Sequence, residues 1–562
     1  MNPCYIKTKK DESKIKDKDS GLVYELNKET KVAAIIGNFI NNNNIFIPIF
    51  IKYQMEEFII TSIQFYQNEY IQFSPDSQIK TICAKSFYGS PLKSIIIPQH
   101  TTQIGKCAFF KCEQLQSVEF SSNSELLIIE KGSFAYSAIE CITIPPHVRI
   151  IRNETFNGCD HLQKVEFYQN SELDKIEKDA FLDSSIKSLT IPSSVRHLEK
   201  GWCEGTPELT DVRIISCEER NIKCHDKLII GKSDTKSDKF DILHFVPRDL
   251  KEVTIPSFIK IIGAYSFSQS NVENIIIPQS VTQICEGAFS LCPSLRSVEI
   301  VSGSNLETIE DGAFFDSGIE SIVIPSSLKE LKEEWCRNTE NLKNVEISIV
   351  NNEQNIVFHE NKFIIGKSDI KSNEYDVLHF VPRDVKRVTI PSFIKQIASY
   401  AFSKSGIIGI VIPQNVTRIC SYAFYYCSNL RFVDLSSNSK LRIIEECTFA
   451  FTSIEKIKIQ PQITHIGNFA FNNCTKLKRV EIPNNSQLQV IGAEAFMFSS
   501  IKSIFIPQNV TEISDLALNV NNSMIVEIAE NSQLFEIKKR VFNVTKEQII
   551  MIPTKMRNQI KI

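Results

Sequence analysis

An aromatic residue, in most cases preceded by alanine, returns along this chain at a nearly fixed interval, and that rhythm narrows the possible folds more than any other feature. It falls at Phe87, Phe109, Phe134, Phe156, Phe181 and Trp202, then at Phe267, Phe289, Phe314 and Trp335, then at Phe402, Phe424, Phe449, Phe471 and Phe496. Most gaps alternate between 22 and 25 residues, with 21 before each tryptophan. A period of 20 to 29 residues with apolar anchors specifies a solenoid of the leucine-rich-repeat kind.

Long and short units carry the same anchors. After Phe109 come Leu115, Val118, Phe120, Leu126 and Ile129; after Phe134 come Ile139, Ile142, Ile144, Val148 and Ile151. The long unit has one extra residue before the strand and two after it, so the core repeats while the connections vary. The segment L-x-x-V-x-F or I-x-x-I-x-I-P alternates apolar and polar residues and reads as a short strand. Pro98, Pro145, Pro278, Pro325, Pro413 and Pro507 lack an N–H and are expected to end it. The following V-x-x-I-x-x-x-A-F is expected to return through a short second strand and a helical turn. The expected architecture is therefore a curved leucine-rich-repeat solenoid, with a strand ladder on its concave face and short strands and helical turns on the convex side. No unit can bury its anchors alone, so stacking must supply the core.

The rhythm breaks twice, between Trp202 and Phe267 and between Trp335 and Phe402, with nearly the same text: DKLIIGKSDTKSDKFDILHFVPRD and NKFIIGKSDIKSNEYDVLHFVPRD. Apolar runs on either side of a polar S-D-x-K-S predict a β-hairpin inserted at each place. The chain thus carries a super-repeat of about 134 residues on the smaller one. The domain reading is a disordered charged tail over 1–20, an N-terminal cap with degenerate repeats over 21–86, and repeats over 87–217. A hairpin insert over 218–250 follows, then repeats over 251–350, a second insert over 351–385 and repeats over 386–562. Within the cap, YELNKETKVAAIIGN reads as a hairpin covering the open edge of the stack. EQIIMIPTKMRNQIKI reads as the start of another short unit.

Charge and apolar content limit the partners. With 63 basic and 66 acidic residues the net charge is −3, and no basic cluster interleaved with aromatics suggests nucleic acid. The most apolar run, Ile45 to Ile51, is seven residues, against about 20 needed to cross a bilayer as a helix. Residues 1–20 show no apolar stretch of the signal-peptide kind.

IPQSVTQICEGAFSLCPSLRSVEI, with I-P-x-x-V-x-x-I-x-x-x-A-F recurring throughout, resembles the repeat of BspA-like leucine-rich-repeat surface antigens over roughly residues 24–562. That resemblance implies a non-enzymatic protein concerned with adhesion and protein binding at a cell surface, with no catalytic residues to carry over. The alternative is a cytosolic scaffold of the same fold.

Residues that could carry chemistry read as structural. Cys112, Cys159, Cys292, Cys427 and Cys474 lie three residues after an anchor, and Cys83, Cys285 and Cys420 four before one. Repeat-locked cysteines are small apolar core residues, and the absence of C-x-x-C argues against zinc. Such free thiols fit a reducing compartment. Gly231-Lys232-Ser233 and Gly366-Lys367-Ser368 echo a phosphate-binding loop but have Asp226 and Asn361 where its first glycine belongs. His225, His244, His359 and His379 fall in the predicted hairpins with no nucleophile or paired carboxylate nearby. The sequon at Asn415 matters only in a secreted chain. No cofactor is expected. The informative positions lie between the last two strand anchors, where the side chain points outward: Glu119, Glu166, Glu299, Glu346, Asp434, Glu481 and Glu527 in long units, and Ile96, Thr143, Thr190, Ile276, Val323, Val411, Lys458 and Phe505 in short ones. Strands about 4.8 Å apart would space the carboxylates about 10 Å from one another. They form either a solubilising face or a groove for a basic or extended protein partner, which the concave face and the hairpin inserts together are expected to contact.

Overall fold

The structure is a computed structural model. It describes residues 13–554 apart from 19, 39–44, 65–68, 216–220, 349–354, 360–362, 370, 535, 538 and 543–547. The chain divides into two compact units, one of residues 1–250 with 261–271 and the other of 251–260 with 272–562.

In the first unit, strands Ser94–Ile97, Ser117–Phe120, Cys141–Ile144, Lys164–Phe167, Ser188–Ile191 and Asp211–Ile214 form one parallel sheet in chain order. Two-residue strands such as Gln103–Ile104 and Ile128–Ile129 make a second parallel ladder. The anchor turns make a third: the Cys107, Phe109 and Lys111 amides donate to the Lys131, Ser133 and Ala135 carbonyls of the following unit. Each coil is thus bonded at three places to its neighbours. The predicted anchors Leu115, Val118, Leu126, Ile129 and Phe134 are all buried, and the Phe87, Phe109, Phe134, Phe156 and Phe181 rings stack 4.8–5.7 Å apart. Burying one such ring stabilises by roughly 1.5–3 kcal/mol, and the stacking adds about 0.5–1.5 kcal/mol.

The expected helical turns do not form. Among the described residues the one helical element is the 3-10 turn Lys539–Val541. Residues two before and two after most anchors have positive φ, for instance Cys107 at 54° and Lys111 at 57° around Phe109. A left-handed residue on each side stops a right-handed helix from propagating. The prolines behave more simply. Each of the six carbonyls named above accepts the amide three residues on, as in Val148 to Pro145, so proline opens a turn; Pro325 itself still belongs to strand Ser321–Pro325.

At the N-terminus Leu22–Asn27 and Val32–Asn38 pair antiparallel as a hairpin, and Val32–Asn38 pairs parallel with Glu56–Ile63. Lys14–Lys16 adds a further antiparallel strand to Leu22–Asn27, so the expected disordered tail over 1–20 does not extend over these three residues; positions 1–12 and 19 lie outside the described residues.

The two inserted segments are not hairpins set into a continuing solenoid. In the first unit Ile222–His225, Leu228–Gly231 and Ile242–Phe245 form an antiparallel meander, whose last strand runs parallel with Ile261–Ile262. In the second unit Ile356–His359, Phe363–Gly366 and Val377–Phe380 repeat it and continue into Gln396–Ile397. The middle strands are buried at all four positions. An apolar run without alternation is covered on both faces, so these strands are core.

Register also relocates the tryptophans. Phe181 donates its amide to the Trp202 carbonyl and Phe314 to that of Trp335, the role played elsewhere by the residue before the anchor. Cys203 and Cys336 therefore stand where phenylalanine stands in other coils, and the irregular 21-residue gaps become 22. The space left by the missing ring is used. Arg383 from V-P-R-D is 3 % exposed, lies 4.5 Å over Phe380, donates to the carbonyls of Ala401 (3.1 Å), Tyr400 (3.4 Å) and Thr339 (3.4 Å), and reaches Cys336 Sγ at 3.6 Å. Arg248 takes the equivalent place in the first unit, donating to the Ser266 carbonyl at 2.8 Å and reaching Cys203 Sγ at 3.6 Å, without the Nε bond that Arg383 makes to Thr339.

In the second unit, parallel sheets of the same kind comprise Asn274–Ile277 to Asn344–Ser348, Gly409–Ile412 to Arg479–Glu481, and Ser503–Ile506 to Gln548–Met551.

Candidate functional site

The outward face of the first-strand ladder follows from strand geometry. Side chains alternate along a strand, so with Val118 and its equivalents buried, the next residue faces out. Pairing puts each carboxylate directly beside a residue of the short unit before it. Glu119 adjoins Ile96, Glu166 adjoins Thr143, Glu299 adjoins Ile276, and Glu346 adjoins Val323. Asp434 adjoins Val411, Glu481 adjoins Lys458, and Glu527 adjoins Phe505. Several apolar rungs are truly exposed: Ile96 at 58 %, Ile276 at 56 % and Val411 at 58 %. Acidic rungs therefore stand beside apolar ones at five of these seven places, and beside Thr143 and Lys458 at the other two.

The seven carboxylates are not equivalent. Glu166 is held by Lys164, and that bond lowers its pKa. Glu481 meets Lys456 at 2.7 Å and Arg479 at 4.0 Å, and its pKa is lowered chiefly by Lys456. Glu119 accepts from Ser117 at 3.5 Å. Glu299, Glu346, Asp434 and Glu527 make no ion pair among the described residues. Arg296, just before strand Ser297–Ile300, pairs with Glu320 at 3.3 Å and not with Glu299.

The other chemistry-bearing residues are absorbed by the fold. Cys112, Cys159, Cys427 and Cys474 are buried with their thiols 2.9–3.2 Å from the anchor carbonyl of the coil before, that of Phe87 for Cys112, and burial raises their pKa to about 12 for Cys112 and about 11 for the others. They are protonated donors, not nucleophiles. Ser233 and Ser368, the last residues of the two G-K-S strings, each bond their own Asp241 or Asp376 at 2.9 Å through both amide and hydroxyl. A Cβ on Gly231 or Gly366 would come within 2.3 or 2.6 Å of the His244 or His379 ring. Those glycines serve ring packing rather than phosphate. Among the described residues no group of three or more His, Cys, Asp or Glu could hold a metal, and no helix is long and apolar enough to cross a membrane.

His244 and His379 give a pH expectation. Burial lowers both pKa values to about 4, against about 6.5 in the unfolded chain. Between those values the unfolded chain binds the extra protons, so their contribution to stability is present above pH 6.5 and is lost as pH falls toward 4. Each is expected to cost on the order of 1 kcal/mol per pH unit in that window. Urea midpoints from pH 7 to 4.5 should fall less steeply in His379→Gln than in the wild type; equal slopes would contradict the assignment.

A family model described as BspA type leucine rich repeat region matches in six copies over residues 80–210, 244–364, 380–478 and 442–560. A search of curated proteins finds no match. Among solved structures the chain is similar to a leucine rich cell surface protein from Faecalibacterium prausnitzii, at 18 % identity and TM-score 0.40, covering 84 % of this chain and 94 % of that one. It is also similar to the pneumococcal vaccine antigen PcpA, at 15 % and 0.33, covering 96 % and 98 %. A leucine-rich-repeat protein from Bacteroides ovatus matches at 18 % and 0.34, covering 94 % and 98 %.

Proposed function

The chain belongs to the BspA-type leucine-rich-repeat family, and from that premise we propose that it is a non-enzymatic protein-binding molecule of the adhesion type whose first-strand face is the contact surface. The observation that carries this reading is the register of the face: acidic rungs stand beside exposed apolar rungs, and four of the carboxylates have no ion-pair partner among the described residues. Such a face suits an extended partner with basic and apolar residues in alternation, the carboxylates steering it and the apolar rungs receiving it.

The test is to neutralise the unpaired acids. Glu299→Gln, Glu346→Gln and Asp434→Asn together remove three charges and keep size and hydrogen bonding. Binding of a synthetic peptide of alternating lysine and valine is expected to weaken about tenfold at low salt, chiefly through slower association, and the difference should shrink as salt rises. Equal association rates for wild type and variant at low salt would overturn the face as the contact surface.

A second reading, an intracellular scaffold of the same fold, is favoured by the cysteines: all 14 described ones are free, as suits a reducing compartment. Protease accessibility of a tagged chain on intact cells separates the two. Cleavage from outside supports display, and full protection supports the scaffold.

A further inference from the structure

The second unit contains a cavity of about 650 Å³ beside its meander, away from the carboxylate face. Its wall is largely carbon. Val357 and Ile365, opposite each other on paired strands, form the floor with Tyr375 and Phe393. Phe393 is 46 % exposed and meets the His359 ring edge-on at 5.5 Å. Most of the charges at the rim cancel. Glu374 is held by Lys395 at 2.5 Å, and Lys395 also lies 3.5 Å from Asp376. Lys440 is different: it lines the cavity and has no ion pair among the described residues. Lys367, 5.3 Å from the centre of the Tyr375 ring, likewise has none among them. The cavity is thus aromatic inside and positive at its edge.

The duplicated meander of the first unit is lined differently at the equivalent positions. Where the second copy has Val357 and Tyr375, the first has Lys223 and Phe240, and Lys223 lays its ammonium 4.1 Å from the Phe240 ring centre. A long side chain occupies the aromatic surface there. Val357 places no ammonium there, and the cation beside Tyr375 is Lys367, at 5.3 Å from the ring centre.

We propose that this cavity is a binding site for a small aromatic carboxylate, its ring seated among Val357, Tyr375 and Phe393 and its anion at Lys440. A pocket of 300–1,000 Å³ lined by aromatic side chains with one or two placed polar groups is the ordinary form of a small-molecule site. An aromatic ring fits the edge and face surfaces offered by Phe393, His359 and Tyr375. The ammonium of Lys440 selects the anion over the corresponding alcohol. The site is independent of the contact surface proposed above and goes beyond it.

The experiment titrates the full chain by calorimetry with 2-naphthoate and, in parallel, with the neutral 2-naphthylmethanol. Saturable binding of one naphthoate per chain is expected, tighter than that of the alcohol. Val357→Phe, which fills the floor, should weaken both compounds at least tenfold. Lys440→Gln, at an exposed position, should weaken naphthoate about three- to tenfold and leave the alcohol unchanged. The absence of saturable naphthoate binding would overturn the proposal, as would a Lys440→Gln variant with wild-type affinity for naphthoate. Should Val357→Phe disturb the meander, the Lys440→Gln result decides alone.

Discussion

Phe314→Ala is expected to destabilise its part of the second unit by roughly 3–5 kcal/mol, the range for emptying a buried aromatic site. The ring is fully buried, stacked at 5.3 Å and 3° on Phe289 and set edge-on at 6.1 Å and 89° against Trp335. Neither neighbour can move into the gap without breaking its own stack, so little of the cavity should collapse. A solenoid is close to one-dimensional in its energetics, and the damage should be local. Hydrogen exchange is expected to speed up over the coils containing Phe289, Phe314 and Trp335 and to stay near wild type beyond Phe449. An increase spread evenly over the chain would contradict the picture of coils bonded mainly to neighbours.

Arg383→Ala should cost a similar amount, about 3–5 kcal/mol, for a different reason. The guanidinium joins two coils by donating to Thr339 on one side and to Tyr400 and Ala401 on the other, while its plane covers Phe380. Truncation removes both the bonds and the volume, and leaves carbonyls without that donor. Lysine keeps a charge but not the planar fork, so Arg383→Lys is expected to recover less than half of the loss. Methionine tests the alternative that only volume matters. Urea denaturation of the three variants checks this, and a wild-type midpoint for Arg383→Met would show that the hydrogen bonds contribute nothing net.

The parts of this architecture that were legible in the sequence are those set by periodicity. Val118, Leu126 and Phe134 recur because one buried position must recur in every coil, and the outward carboxylates follow from the two-residue alternation of a strand. What escaped depends on register across coils. Trp202 reads as an anchor because it is aromatic and nearly in step. Only the pairing of Phe181 with the Trp202 carbonyl shows that Cys203 holds that place. The role of Arg383 is invisible for the same cause, since an arginine in V-P-R-D looks like a turn residue until the missing ring 47 residues earlier is located. The helical turns failed because left-handed φ values fall on residues as varied as Lys85, Tyr136 and Asp179, where no glycine signals them. The cavity beside Val357 depends on where two similar segments differ, among other places at Lys223 against Val357 and Phe240 against Tyr375, and on contacts that a comparison of the strings does not give.

The threefold bonding of each coil to the next also determines how such a stack yields to tension. Its hydrogen bonds point from coil to coil, along the direction in which the stack lengthens, so a pull along that direction acts on the junctions in series and the weakest yields first. Coils then peel away singly instead of shearing together, and each releases roughly 75 Å of extended chain. Within each run of regular coils the junctions are alike in ring, strand and turn, so those give way at a similar load. A run of coils built this way pays out length under strain at a nearly level force, as a tether does and a strut does not.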